Sequence, residues 1–123
     1  MQADDILIEA TKLFPKVHFR SNGELSITGR IISDHLREFF SPLFNWVDKC
    51  TCDKVLLEVN LDYLNSNGTF LLIELLHRME DKESITGIKV IWHYEEEDEG
   101  HFELGEIVRE KLNRAEFRYE SYL

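Results

Sequence analysis

The feature that most constrains the fold is a regular alternation of helix-like and strand-like apolar segments through the last two thirds of the chain. Helical spacing of apolar residues occurs over 33–50, 69–79 and about 102–113, and strand-like segments occur over 54–61, 87–94 and around 117–119. Strands that alternate with helices favour parallel pairing through right-handed crossover connections. The order therefore predicts a sheet whose last strands are parallel.

A hairpin precedes this alternation. Apolar and polar residues alternate over 17–19 and again over 25–27, and Asn22-Gly23 lies between the two segments. Asn-Gly supplies the positive φ angles that a tight hairpin turn needs. The hairpin adds an antiparallel part, so we predict an α/β fold with a small mixed sheet and helices packed on it. With 123 residues, the chain fits one domain spanning 1–123.

Several local features qualify this prediction. Residues 1–14 have an apolar pattern that fits a short helix or a docked arm, and Pro15 ends it. Ser33 or Asp34 can cap the first helix, and Pro42 predicts a kink or a break within it.

The second and third helices have different apolar patterns. The second is apolar over most of its circumference, Phe70 included, which predicts that it is largely buried. In the third we expect four residues to point inward: Leu104, Ile107, Val108 and Leu112.

The charge argues against several classes of partner. The formal net charge is −10, and the basic residues are scattered rather than gathered into a patch, so nucleic acid is not an expected partner.

The longest apolar run is 70–73, which excludes membrane insertion through a helix. The first residues carry acids where a signal peptide needs bases, so we expect a cytoplasmic protein with a protein partner.

Few residues form a chemical motif. Cys50 and Cys52 are a lone C-x-C pair, which falls short of a metal site and suits a disulfide poorly, so we expect free thiols. The sequence has no phosphate-binding loop, dinucleotide fingerprint or serine-nucleophile elbow, and we expect no enzyme activity and no cofactor.

An acidic run over 94–106 holds seven carboxylates and no Lys or Arg. One interpretation is a divalent-metal site, with His93 and His101 as further ligands. The spacing is not that of a calcium loop. The favoured interpretation is a solvated or partner-facing surface that leads into the third helix, where acids interact well with the helix dipole.

The turn over 63–69, with the sequence YLNSNGT, joins a buried strand to a buried helix. If the helix begins near Gly68, Ser66 lies at its N-terminus. Ser and Asn are good N-caps because their oxygens accept from unpaired backbone N–H groups. The same position suits a phosphoryl group, since free donors and the helix dipole stabilise an anion. Both interpretations are open on these residues.

Four blocks in order resemble the SiaC family of bacterial regulatory phosphoproteins: GELSITGR, FFSPLFNWV, LDYLNSNGTFLLIELL, and VIWHYEEEDE with ELGE. The similarity covers about 19–117. It implies a fold like that of the anti-sigma-factor antagonists (STAS-like) and a protein that is a substrate and ligand rather than an enzyme. It also implies three partners: a histidine-kinase-like Ser/Thr kinase, a PP2C-type phosphatase, and a diguanylate cyclase that the unmodified form binds to control cyclic-di-GMP and biofilm formation.

By position, the family's acceptor hydroxyl falls on Ser66, with Thr69 as the second candidate. The sequence departs from the family pattern at Asn67 and Gly68, where small hydroxyl residues are usual. An alignment shifted by one residue places the acceptor on Asn67, which has no hydroxyl, so loss of phosphorylation is a third possibility. The expected partner-binding residues are these: Tyr63, Asn65, Asn67, Gly68, Glu95, Glu96, Glu97 and Asp98.

Two other functions compete with this hypothesis. The same fold could serve as an anti-sigma-factor antagonist in a partner-switching pathway that controls transcription. A protein of another class, a metal-dependent enzyme, would use the acids of 95–106.

Overall fold

Six strands lie side by side in their chain order and form one mixed sheet with three helices. The computed structural model describes residues 4–123. The strands are β1 (Ile6–Ile8), β2 (Lys16–Phe19), β3 (Glu24–Ile31), β4 (Lys54–Leu64), β5 (Gly87–Glu95) and β6 (Glu116–Tyr122). The helices are α1 (Arg37–Lys49), α2 (Ser66–Asp81) and α3 (Glu99–Glu110). The predicted α/β class and the strand-helix alternation are confirmed.

The sheet is antiparallel over β1, β2 and β3 and parallel from β3 to β6. The predicted hairpin is β2–β3, but its turn differs from the expected one. Within this turn only Gly23 has a positive φ, at 97°. Gly23 N–H donates to Arg20 C=O (2.9 Å), and Arg20 N–H donates to Glu24 C=O (3.0 Å). This is a three-residue loop ending in a left-handed glycine, which needs only one positive φ.

The sheet buries one of its faces. In β4 the buried residues Val55, Leu57, Val59 and Leu61 alternate with the less buried residues Lys54, Leu56, Glu58 and Asn60. Sequential strand order with right-handed crossovers places all three helices on the same face. The other face is polar and open. The carboxyl ends of β4 and β5 lead into α2 and α3, so both of these helices begin at the same edge of the sheet.

The core lies between the sheet and the helices. Its largest fully buried side chains include Trp92, Phe19 and Phe40. Phe19 meets Trp46 of α1 edge to face, with ring centroids 5.4 Å apart. The helices are therefore fixed against the sheet by aromatic as well as aliphatic contacts.

The N-terminal segment is a strand and not the short helix that its pattern allowed. Residues 6–8 form β1, which pairs with β2 at the edge of the sheet, and residues 1–3 of the predicted arm lie outside the described part. Trp46 Nε1 donates to Asp4 C=O (2.9 Å), and Ser21 N–H donates to the Asp5 carboxylate (2.7 Å). Three apolar residues suffice for an edge strand, whereas a helix needs more turns to become stable.

The first helix begins later than predicted and is not interrupted. Its N-cap is Leu36, and neither Ser33 nor Asp34 caps it. Ser33 Oγ instead accepts from His35 N–H (3.0 Å) in the turn before the helix. Pro42 lies inside α1, which continues to its end at Lys49. The prediction of a break was wrong, because burial of the residues around Pro42 offsets one missing hydrogen bond.

Two predicted inward residues point outward. Phe70 in α2 is 65% exposed and Ile107 in α3 is 48% exposed. The third helix begins at Glu99, earlier than predicted, and turns His101, Gly105 and Val108 inward. No helix within residues 4–123 has the length and apolar composition that crossing a membrane requires.

Candidate functional site

Asn65 alone connects β4 to α2, and it is the N-cap of the helix. Its Oδ1 accepts from Gly68 N–H (2.8 Å). Its Nδ2 donates to Ile32 C=O (2.9 Å) and to Ser33 C=O (3.0 Å). One side chain therefore caps the helix and ties it to the segment after β3. The prediction that Ser66 caps the helix is wrong, because the strand continues to Leu64 and the helix begins at once.

Ser66 is the first residue of α2 and is exposed. Within residues 4–123, no protein acceptor is paired with the backbone N–H groups of Ser66 or Asn67. Free N–H groups at a helix N-terminus, together with the positive end of the helix dipole, favour an anion. The Ser66 hydroxyl is thus accessible, and a phosphoryl group on it would have backbone donors close by.

Thr69 differs from Ser66 in access. It is 9% exposed, and its Oγ1 donates to Asn65 C=O (2.9 Å). A kinase would have to break this hydrogen bond and open the first turn of the helix to reach the hydroxyl. Of the two candidate acceptors, the geometry favours Ser66.

Gly68 does not lie on the surface, contrary to its assignment as a partner-binding residue. It is buried where α2 crosses the sheet. A Cβ at this position would lie 2.7 Å from Ile31 Cγ2 and 2.7 Å from Leu64 Cδ1. The glycine is needed for close packing of helix on sheet, not for approach by another protein.

Exposed apolar side chains surround the turn, and we call them the apolar rim. They are Leu13, Ile32, Tyr63 and Phe70, with Tyr63 52% exposed. Ile32 N–H donates to Leu13 C=O (3.0 Å), which joins these two distant segments beside Asn65. An exposed apolar cluster of this kind is typical of a protein-binding surface.

Most residues of the apolar rim were not predicted from the sequence. Phe70 was expected to be buried because α2 is apolar nearly all round, yet it follows Ser66 by four residues and so lies on the same face. With Asn67 and Arg37 it lines a cleft of about 140 Å³. Leu13 and Ile32 come from other segments, and nothing local to the turn indicates them.

Two arginines lie near the rim, and each is paired with an acid. Arg30 donates to Asp62 (2.8 Å), whose hydrogen bond and charge raise the pKa of Arg30. Arg37 donates to Glu74 (3.3 Å). Both pairs are largely exposed, so they shape the local charge more than they stabilise the fold.

The acidic run lies at the same edge of the sheet as Ser66. Glu95 ends β5, Glu96 and Glu97 form the turn, and Asp98 Oδ1 caps α3 by accepting from His101 N–H (3.0 Å). All four carboxylates are exposed. Within residues 4–123, no three His, Cys, Asp or Glu side chains converge to hold a metal ion. The arrangement therefore supports a solvated or partner-facing surface.

His93 and His101 lie in different places. His93 Nε2 is 3.3 Å from a Glu58 oxygen on the open face of the sheet. His101 is buried and stacked on Trp92, with ring centroids 5.0 Å apart. Burial lowers the pKa of His101, while the charges of Asp98 and Asp62 oppose that shift. The two histidines therefore lie in different environments, one on the open face of the sheet and one in the buried layer.

The two cysteines lie in an environment that gives them little reactivity. Cys50 is buried and Cys52 is half-buried, and both are free. Burial, and then the neighbouring Cys50 thiol, raise the pKa of Cys52 to about 11. The thiolate is the reactive form, so this environment disfavours nucleophilic or redox chemistry at neutral pH.

A groove of about 610 Å³ lies at the opposite edge of the sheet, where β4, β5 and β6 begin. Among its cations, Lys89 is paired with Glu116 (3.4 Å), and Arg114 is held by four backbone carbonyls. The groove is remote from the turn.

Comparisons with known proteins agree on one family. The family model described as SiaC family regulatory phosphoprotein matches residues 8–122. No curated protein matches the chain in sequence. SiaC of Pseudomonas aeruginosa is 24% identical, with a TM-score of 0.83, and the match covers 96% of this chain and 98% of that one.

A second solved structure contains diguanylate cyclase SiaD in complex with its activator SiaC, also from Pseudomonas aeruginosa. Its matching chain is 24% identical, with a TM-score of 0.85, and the match covers 96% of this chain and all (100%) of that one. At this identity, the likeness establishes the fold.

Proposed function

Because the chain belongs to the SiaC family, whose members are regulatory phosphoproteins rather than enzymes, we propose that it is a switch controlled by phosphorylation of Ser66. In its unmodified form it binds and regulates a diguanylate cyclase, and phosphorylation ends that binding. A histidine-kinase-like Ser/Thr kinase adds the phosphoryl group and a PP2C-type phosphatase removes it.

One observation carries this proposal: an exposed hydroxyl on the first turn of α2, surrounded by the apolar rim. The rim supplies the surface that a partner would cover. Ser66 supplies a group at that surface whose charge can change. No movement of a helix or strand is needed, because the modification acts where the partner docks.

The energetics suit a switch of this kind. Phosphorylation adds about −1.5 to −2 charges beside the apolar rim. In the free protein, water and the unpaired N–H groups of Ser66 and Asn67 solvate that charge. In the complex the phosphoryl group would lose its water beside the apolar side chains of the interface, which costs several kcal/mol, and ~4 kcal/mol already changes affinity about a thousandfold.

The proposed class of partner is supported by the relative of known structure, which is the activator of the diguanylate cyclase SiaD. The charges add one requirement. The exposed acids from Glu95 to Asp98 lie at the edge that also carries Ser66, so the partner surface should combine apolar side chains with Lys or Arg.

Site mapping tests the acceptor. We expect incubation with the candidate kinase to add a single phosphoryl group, which fragmentation mass spectrometry places on Ser66. Ser66→Ala should abolish the modification. Thr69→Val should retain it. Ser84→Ala is the matched control, since Ser84 is also exposed but precedes β5 at the opposite edge. Phosphorylation of the Ser66→Ala protein to the wild-type level would contradict the assignment.

A further inference from the structure

The two outer edges of the sheet differ in how they are protected. β1 is an edge of three residues. β6, the other edge, has seven residues, with the sequence EFRYESY, and contains no Pro, Gly or Lys. Its register with β5 has no shift that would indicate a bulge. Short strands, Pro and bulges are usual means of keeping an edge from pairing, and β6 has none of them. Charged side chains also discourage pairing, but those of β6, Glu116, Arg118 and Glu120, are of both signs and can complement a partner strand.

The residues whose backbone faces outward can be identified. Glu96 N–H donates to Tyr122 C=O (2.7 Å), so Tyr122 directs its backbone groups toward β5. In a parallel pair this orientation alternates along the strand. The even-numbered residues of β6 therefore bond to β5, and the outward N–H and C=O groups belong to Phe117, Tyr119 and Ser121.

We propose that this edge pairs antiparallel with β6 of a second copy of the chain, about a twofold axis at Tyr119. In this register Tyr119 pairs with the partner's Tyr119, and Phe117 pairs with the partner's Ser121. Both pairs use the outward backbone groups. The two six-stranded sheets become one continuous sheet of twelve strands, built from two copies of the strand order.

Charge complementarity selects this register. With the axis at Tyr119, Arg118 lies opposite the partner's Glu120, and the symmetry forms the same pair twice. These are non-hydrogen-bonded positions, where side chains of paired strands approach most closely. An axis at Arg118 would set two arginines against each other, and an axis at Glu120 would set two glutamates against each other. Only the axis at Tyr119 also pairs all seven residues of β6.

The side chains of Arg118 and Glu120 are available for the proposed ion pairs. Arg118 and Glu120 are both exposed. Within residues 4–123, Arg118 has no salt bridge, and the Nδ1 atom of His93 lies 3.8 Å from a carboxylate oxygen of Glu120. Ser66 follows β4, two strands away from β6, so the proposed contact leaves the phosphorylation site uncovered.

Sedimentation velocity across a concentration series tests the proposal. Pairing of a single edge strand buries little area, so the dimer should be weak and require about 10 µM to 1 mM protein. We expect Arg118→Glu and Glu120→Arg each to weaken dimerisation about tenfold, because each sets like charges opposite one another twice. The double charge reversal restores opposite charges and should restore the wild-type dimer. A protein that is monomeric throughout the series would overturn the proposal.

Ser121→Pro provides a second test that does not depend on charge. It removes an outward N–H and leaves the ladder with β5 intact, as proline is tolerated on the free side of an edge strand. The variant should be monomeric with an unchanged circular dichroism spectrum. If this variant and both single charge variants dimerise as the wild type does, the dimer uses another surface. Ser66→Asp should dimerise normally, which separates this result from the proposed switch.

Discussion

At the scale of single residues, Asn65 makes three side-chain hydrogen bonds that join two segments. It caps α2 through Gly68 N–H and also binds the carbonyls of Ile32 and Ser33. Asn65 therefore helps to hold the start of α2, with Ser66, beside Ile32 of the apolar rim.

Replacing Asn65 with Ala should lower the free energy of unfolding by about 2–3 kcal/mol. A lost N-cap costs about 1 kcal/mol, and two carbonyls left without their donor add to that. Asn67→Ala is the matched control. Asn67 lies two residues after Asn65 and is exposed, so its change to Ala should alter the free energy of unfolding by less than about 0.5 kcal/mol. Urea denaturation measures both, and equal losses would contradict the role assigned to Asn65.

The sequence predicted the position of some single residues correctly and the structural role of others wrongly. Ser66 was identified because polar residues before a helix mark its N-terminus, but the cap was assigned to it instead of Asn65. The difference is a shift of a few residues in where the strand ends, and hydrogen bonds with distant carbonyls decide that boundary. Whether Ser66 is phosphorylated stays a prediction.

At the scale of elements, the close approach of α2 to β3 and β4 depends on Gly68. Gly68→Ala would place a methyl group 2.7 Å from Ile31 and from Leu64. We expect a loss of about 1–3 kcal/mol in the free energy of unfolding, since overpacking outweighs the better helix propensity of Ala.

Gly100→Ala provides the contrast within the same protein. Gly100 lies in the first turn of α3, and a Cβ there would come no closer than 3.7 Å to Asp98 Oδ1. Stability should stay the same or rise by up to about 1 kcal/mol. Thermal unfolding of the two variants would contradict this explanation if both lose stability equally.

A second link between elements joins the end of α2 to the segment before β6. Buried Glu80 accepts from the backbone N–H groups of Asn113, Arg114 and Ala115. We expect Glu80→Ala to cost about 3 kcal/mol or more, because it leaves three donors unpaired. Exposed Glu83 is the control, with a loss of less than about 0.5 kcal/mol on change to Ala. Similar losses in chemical denaturation would refute this role.

The sequence predicted the elements better than the links between them. Periodicity located β4, β5 and α2 because each has a long, regular apolar pattern. Short β1 has too few residues for a period, and the continuity of α1 through Pro42 depends on tertiary burial. Glu80 and Arg114 are separated by more than thirty residues, and their contact has no local pattern at all.

At the scale of the whole molecule, the sheet buries one face, and His101 packs on Trp92 within the covered side. Burial lowers the pKa of His101 from its ordinary 6.5, although Asp98 and Asp62 favour the charged form. Below about pH 6.5 the unfolded chain therefore binds a proton that the folded chain excludes. Stability should be highest above this pH and fall as the pH drops toward the lower folded value.

His101→Phe tests this dependence, since Phe can stack on Trp92 but cannot titrate. Urea denaturation at pH 7.5 and at pH 5.5 should show a smaller loss of stability on acidification for the variant than for the wild type. An identical loss in the two proteins would show that His101 does not contribute.

The class of the fold was predictable from the sequence because helices and strands alternate along the chain, which favours parallel pairing through right-handed crossovers. The order of the strands in the sheet was not predicted, since the same alternation also fits sheets with other strand orders. The apolar rim could not be predicted from the sequence. The apolar rim gathers side chains from three separate segments, and only their packing around Asn65 places Leu13 and Ile32 beside the turn.

The affinity of the protein for a diguanylate cyclase, measured by calorimetry with Ser66 variants, tests the central claim most directly. The unmodified protein and Ser66→Ala should bind alike, whereas Ser66→Asp and the phosphorylated protein should bind about a hundredfold to a thousandfold more weakly. Ser84→Asp, with the same charge at the opposite edge of the sheet, should bind as the unmodified protein does. Equal affinities of Ser66→Ala, Ser66→Asp and the phosphorylated protein would contradict the proposed switch.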